Sequence, residues 1–463
     1  MNKTRILPAV AALVIALLVT LVVTTDLVPG IGNSSPDHKG AGTEDQNPAD
    51  KGVLLKDESL RGESLDVGLL DSNVNLLRVP DGGIQPRART DSAGTTHLVY
   101  FLLNQDAAAG TREQSGHLYY RQLAAGAKHW SAAIQVSTAA YEHNDAIGKA
   151  SIAVDATGRV HVTWLELSPV RFQYTRSNQQ QTDFEQPRSL VSTHLLGIEA
   201  EPALAVSGTQ VAITWHAGDM LDEASRAVYA RASSDAGATF GPEQQLSDPS
   251  LGACACCGLA AAYQPDETLL VAYRSAIDSS GRHMQLLQGA PGQRQTAMLD
   301  AWELNACPVT SNQFAQSQPQ ASIQNTPQPS IQNTPQALWL TFETRGEIRL
   351  YDVNGGQVGG VRAAAGGLRQ KHPALAVNSN GQRLLAWGEG NGYKSGGTLN
   401  WQLFNPAAET KSGTEGGTKG GTKGEAADKA PEAGTKPDRQ LRIPDYSVVA
   451  VAPRNNNSFL LIY

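Results

Sequence analysis

The sequence predicts an all-β fold, a six-bladed β-propeller preceded by one N-terminal apolar helix. Three observations predict it. A two-strand segment recurs six times. Aromatic anchors recur at nearly constant spacing. The composition, with 45 glycines and 17% charged residues, suits a turn-rich β protein better than a helical one.

The strand pairs come first. Ser151-Ile152-Ala153-Val154-Asp155, a Thr157-Gly158 turn and Val160-His161-Val162-Thr163-Trp164 form one alternating hairpin pattern. It recurs at Pro202-Ala203-Leu204-Ala205-Val206, ending at Trp215, and at Pro373-Ala374-Leu375-Ala376-Val377, ending at Trp387. Weaker copies end at Tyr100, Tyr273 and Phe342. A second strand pair follows each early copy, with Trp130, Phe184 and Phe240 as anchors, 54 and then 56 residues apart. Four antiparallel strands per repeat make one blade. Residues 69–463 are therefore read as the propeller, and the segment from Tyr446 to Tyr463 as strands that close it.

The ends and inserts differ in character. Residues 1–25 carry Lys3 and Arg5 before an apolar run from Ile6 to Val23, long enough to span a bilayer. The flanking charges place the N-terminus in the cytoplasm and export the rest. This is a signal-anchor helix, or alternatively a signal peptide cleaved on secretion. Residues 26–68 read as a flexible tether. Residues 321–336 hold a near-perfect tandem copy (ASIQNTPQ, PSIQNTPQ), and residues 408–438 repeat Gly-Gly-Thr-Lys; both read as low-complexity inserts in surface turns. The expected location is a bacterial inner membrane, with the propeller in the periplasm or outside the cell. A net charge of −7 argues against a nucleic-acid partner.

The best-formed turn is Ser233-Ser234-Asp235-Ala236-Gly237-Ala238-Thr239-Phe240. Ser and Asp oxygens can hold backbone N–H groups of the turn, Gly237 can take positive φ, and Phe240 can pack beneath it. The pattern S-x-D-x-G-x-x-F at Ser233, Asp235, Gly237 and Phe240 resembles the Asp box, or BNR repeat, of the sialidase (neuraminidase) superfamily. Ser177 and Phe184 keep that spacing in a decayed copy. The resemblance implies a propeller whose ligand pocket lies on the face opposite this turn. Strand parity puts the ends of the second strands on that opposite, top face. They carry Glu166, His216, Arg274, Glu343 with Arg345, and Glu389. Loops between blades add His143, Asp145, Glu199, Glu201 and His372.

All four cysteines fall in two top-face loops, as Cys254-Ala255-Cys256-Cys257 and as Cys307. Adjacent blades put the loops side by side. A disulfide from Cys307 to one of the three is one reading in an exported protein. A soft metal, Cu or Zn, held by Cys254, Cys256, Cys257 and Cys307 is a second, and a catalytic thiol is the third. The C-x-C-C motif, followed by a strand ending Tyr273-Arg274 and by Trp302-x-x-x-x-Cys307-Pro308, also resembles a group of exported bacterial sialidase-like propellers.

For activity the resemblance implies an exo-α-sialidase-type glycoside hydrolase. Such an enzyme uses three arginines on the substrate carboxylate, a tyrosine nucleophile and acidic partners. Arg78 in Arg78-Val79-Pro80, Arg274 and Arg345 are the arginine candidates; Tyr273 (or Tyr141) and Glu201 would complete the set. Glu166, Glu343 and Glu389 on the same rim would repel a carboxylate unless paired. The alternative is a non-catalytic monomer binding a glycan or an envelope protein.

Overall fold

The computed structural model describes residues 69–71, 73–104, 114–143, 150–197, 199–219, 221–289, 294–316, 337–354, 357–359, 369–392, 394–405 and 441–463. The expected N-terminal helix, the whole of the tether and both low-complexity inserts lie outside these residues. Among the described residues no helix is long and apolar enough to cross a membrane.

The described chain is an all-β propeller with seven blades, not six. Blades 1 to 6 follow in sequence and begin with the innermost strands Ile84–Thr90, Ala150–Val154, Ala203–Ser207, Ala260–Tyr263, Asn312–Gln316 and Gln370–Val377. Their second strands end at Leu103, Leu167, Ala217, Arg274, Thr344 and Glu389, and match the six repeats. Blade 6 has three described strands.

The seventh blade is built from both ends of the described chain. Ala450–Pro453 and Phe459–Ile462 form its inner hairpin, the closing strands expected from the sequence. Val74–Leu77 then pairs in parallel with Phe459–Ile462, and Leu69–Asp71 adds the outer edge. A ring must join its first blade to its last. Sharing one sheet between the two ends does so with backbone hydrogen bonds and leaves no open seam.

The cores count the blades independently. Seven apolar clusters lie between adjacent sheets, one for each interface around the ring. The strand-end tryptophans Trp164, Trp215 and Trp387 are fully buried in three of them. The alternation read from the sequence is therefore the pleat of sheets that pack face to face.

The turn at residues 233–240 is built by its side chains. Ser233 Oγ accepts from the Gly237 N–H at 2.9 Å, and Asp235 Oδ1 accepts from the Thr239 N–H at 2.8 Å. Gly237 sits at φ +73°, where a Cβ would run into the Tyr174 hydroxyl. Phe240 reaches the preceding blade and meets the Tyr174 ring edge-on, centroids 5.0 Å apart. The motif thus locks blade 3 onto blade 2.

Candidate functional site

The top-face loop that leads into blade 4 is bolted down from several sides. The Cys254 N–H donates to the Arg274 carbonyl at 2.9 Å, and the Gly258 N–H donates to the Thr310 carbonyl at 2.9 Å. The Ala255 N–H donates to Glu223 Oε1 at 3.3 Å. Gly252 takes φ +58°, and a Cβ there would press on the backbone of Ala276 and Ala224. Cys256 is disulfide-bonded to Cys307 across 6.5 Å between their Cα atoms. Cys254 and Cys257 are free thiols, each 2% exposed. Their sulfurs lie 2.9 Å apart, and Cys254 Sγ is 3.5 Å from Cys256 Sγ.

Two guanidiniums, those of Arg274 and Arg282, act on this thiol pair. The buried Arg274 guanidinium donates to Thr310 Oγ1 at 3.3 Å and to the carbonyls of Arg282 and Glu343, and it lies 4.9 Å from the centre of the Trp302 ring. These acceptors are neutral, so they leave its charge in place. Arg282 pairs with Glu223 at 2.5 Å, and Lys371 pairs with Glu343 at 3.1 Å. Burial pulls the Cys257 thiol upward, but the Cys254 S–H, the Arg274 charge and Thr310 outweigh it and hold Cys257 at about 6. Burial and the adjacent thiolate push Cys254 well up. The pair therefore carries one negative charge and one proton near neutrality. Burial also raises the Glu343 carboxyl, against the opposing charges of Lys371 and Arg274.

The other expected site residues are placed separately. Arg78 is exposed, with its guanidinium 4.3 Å from the centre of the Tyr463 ring. Arg345 reaches Asp300 at 3.6 Å and the Ala301 carbonyl. Each of the three arginines engages a different neighbourhood, and the described contacts bring only Arg274 to the cysteines. Tyr273 is buried between blades 3 and 4 among Val228, Leu246 and Val271, and burial pushes its phenol above the ordinary range. Tyr141 is likewise buried, against Phe101 at 4.9 Å. Two rim carboxylates serve the strands. Glu166 accepts from the Trp164 indole, and Glu389 accepts from the Trp387 indole, each at 3.1 Å.

Glu201 lies elsewhere, in the channel along the propeller axis. It is buried and ion-paired with Arg87. The upper chamber is about 50 Å³ and is lined by Arg87, Arg89, Glu201, Asn312 and His372, among others. Below it a chamber of about 190 Å³ is lined by residues of all seven innermost strands and shares Arg89. At ~30 Å³ per water, that is room for roughly six waters. Burial, the neighbouring Arg87 and, in the opposite sense, Glu201 bring Arg89 down to about 10, so it remains a cation. Asn312 donates to the Gly258 carbonyl at 2.8 Å, while its buried Oδ1 has no protein partner. Sequence reasoning passed over Arg87, Arg89 and Asn312. The available signal was two arginines at alternate positions of a first strand where other blades carry small apolar residues.

No protein-family model matches the sequence, and no curated protein matches it. Solved structures with a similar fold include sialidases, arabinanases and fucose lectins, all β-propellers. The Hadza microbial sialidase Hz136 is 12% identical, with a TM-score of 0.39 over 65% of each chain. This chain therefore spans 65% of that sialidase's length. The Penicillium chrysogenum α-L-arabinanase is 10% identical, with a TM-score of 0.44 over 74% of this chain and 97% of its own. The Aleuria aurantia lectin is 10% identical, with a TM-score of 0.41 over 70% of this chain and 91% of its own. At these identities the likeness is one of fold alone.

Proposed function

We propose that this protein is an exported, membrane-tethered propeller that binds an acidic glycan at the upper mouth of its axial channel without hydrolysing it. The observation that carries this reading is the pairing of two arginines, Arg87 and Arg89, with one carboxylate, Glu201, in the channel. One guanidinium charge is left over, and a ligand carboxylate balances it in the geometry arginine favours. Asn312 Oδ1 offers an acceptor for a sugar hydroxyl in the same chamber. Two of the three rim carboxylates face a counter-charge: Glu343 pairs with Lys371, and Glu166 lies 4.0 Å from Arg171, while Glu389 accepts from neutral groups and keeps its charge. The buried Tyr273 and the dispersed arginines favour binding over sialidase-type turnover. Tethering follows from the apolar run at residues 6–23.

Calorimetry with N-acetylneuraminic acid, glucuronic acid and glucose tests the reading. The two acids bind, glucose does not, and Arg89→Gln weakens acid binding at least tenfold. Equal binding of glucose, or acid binding untouched in Arg89→Gln, overturns it. Release of a fluorophore from a panel of aryl glycosides would replace binding with hydrolysis.

A further inference from the structure

The cysteines support an activity separate from the channel. We infer that Cys254 and Cys257 form a buried dithiol that exchanges with the surface disulfide Cys256–Cys307, so that the four cysteines act as a thiol–disulfide relay toward a disulfide-bonded partner protein. Three observations carry it. The three sulfurs of Cys254, Cys256 and Cys257 lie within 4.8 Å of one another, with Cys254 Sγ 3.5 Å from Cys256 Sγ. The disulfide is graded outward: Cys256 is half-buried and Cys307 is exposed, while Cys254 and Cys257 are buried. The dithiol loop is pinned to Arg274, whose carbonyl accepts from the Cys254 N–H at 2.9 Å and whose guanidinium is held on Thr310 Oγ1 at 3.3 Å.

The steps balance without an added oxidant. Cys254 passes its proton to the Cys257 thiolate 2.9 Å away and, as a thiolate, attacks Cys256 Sγ. The Cys256–Cys307 bond breaks, a Cys254–Cys256 bond forms, and Cys307 leaves as a thiolate at the surface. Cys257 gives up its proton and attacks Cys254 Sγ, which forms Cys254–Cys257 and releases Cys256 as a thiolate. The buried pair is oxidised by two electrons, the surface pair is reduced by two, and the one proton that the buried pair held passes to the surface, where solvent supplies the second. The exposed Cys307 thiolate then attacks a disulfide of the partner protein. Cys256 resolves the mixed disulfide, the partner leaves as a dithiol, and Cys256–Cys307 is restored. A second partner dithiol returns Cys254–Cys257 to the reduced form by the reverse exchange.

Native alkylation tests this on the full chain. The folded protein, purified without reductant, is treated with iodoacetamide and its modified and bonded cysteines are mapped by mass spectrometry. The relay places the label on Cys307 and Cys256, the residues bonded at rest, and leaves Cys254 bonded to Cys257. Cys254→Ser lowers Cys307 labelling at least tenfold. An aromatic disulfide as stand-in for the partner is reduced by one equivalent per wild-type chain, and this is lost in Cys307→Ser. Label confined to Cys254 or Cys257 with Cys256–Cys307 intact overturns the relay. So does the absence of label until denaturant is added. One equivalent of copper or zinc retained at the pair, with no exchange, overturns it as well.

Discussion

Tyr174 donates its phenolic hydrogen to His161 Nδ1 at 2.8 Å. The other ring nitrogen of His161 then donates to Asp155 Oδ2 at 3.2 Å, and Phe240 of the next blade meets the Tyr174 ring edge-on. Blade 1 repeats the arrangement: His97 bonds Tyr120 at 2.8 Å and Asp91 at 3.1 Å, and Phe184 meets Tyr120 at 5.3 Å. His161 is fully buried, so removing its phenol partner strands an acceptor. Tyr174→Phe is expected to cost ~1–3 kcal/mol in urea unfolding. Gly237→Ala, which drives a methyl into the same hydroxyl from a left-handed backbone, is expected to cost at least as much. Unchanged stability in both variants would remove the lock from the account of blade packing.

Acid should weaken the ring through its buried histidines. Burial first, then the charges of Lys371 and Arg87, push His372 down to about 3. His372 is therefore neutral when folded and protonates more readily when unfolded. A depressed pKa of this kind gives stability that is full above about 6.5 and is lost as pH falls toward about 3. His161 acts in the same direction, since burial lowers it too. Thermal unfolding from pH 7 to pH 4 should show a falling midpoint. In His372→Gln the slope should be shallower by up to ~1.4 kcal/mol per pH unit. Identical slopes in the two proteins would show that His372 titrates alike in both states.

Asp155 adds a later acid step. Burial would raise its carboxyl, but bonds from His161, Thr157 and the Arg159 backbone outweigh burial and hold it at about 2. Its contribution is present above the unfolded value near ~3.9 and is lost as pH falls through about 2. Asp155→Asn is expected to cost ~1–2 kcal/mol at pH 7, after allowance for solvent screening, and much less near pH 2. A cost that stays constant across that range would assign the effect to packing alone.

Lys371 has a separate burden. Its ammonium donates to Glu343 Oε2 at 3.1 Å and to the Pro308 carbonyl at 2.5 Å, and Glu343 is 1% exposed. Lys371→Met leaves a buried carboxylate without its partner and is expected to cost ~3–5 kcal/mol. The double variant Lys371→Met/Glu343→Gln should recover much of that loss in guanidinium unfolding. Equal losses in the single and double variants would deny the pair its role.

The fold was legible where the repeat is contiguous and was not where it is split. Trp164, Trp215 and Trp387 end strands whose alternation can be read directly, and six blades follow from counting such strands. The seventh escaped because Val74–Leu77 and Phe459–Ile462 belong to one sheet yet stand at opposite ends of the sequence. The site was legible as a place more than as a set of partners. Cys254, Cys256, Cys257, Cys307 and Arg274 do meet on the top face, because adjacent blades juxtapose equivalent loops. Arg78 is offered by its Arg-Val-Pro motif and Arg345 by a strand-end position equivalent to that of Arg274, but neither signal fixes where a long side chain points. His161 and His97 looked like ordinary strand residues, since their Asp and Tyr partners are set by tertiary packing.

Leu76 and Leu461 are register partners in the parallel pair of blade 7, and both pack in the core between blades 6 and 7 with Phe459 and Leu384. Leu461 is fully buried. Leu461→Ala removes three carbons from a site whose neighbours are held by ladders on both sides, so little collapse can fill the space. The expected cost is ~2–5 kcal/mol. Leu76→Asp should be worse in kind. It puts a charge into the same core and unpairs the outer strands, which exposes the Phe459–Ile462 edge to other chains. Light scattering at moderate temperature should therefore rise for Leu76→Asp before it rises for Leu461→Ala. If both variants unfold reversibly as monomers with wild-type midpoints, the two ends do not close the ring.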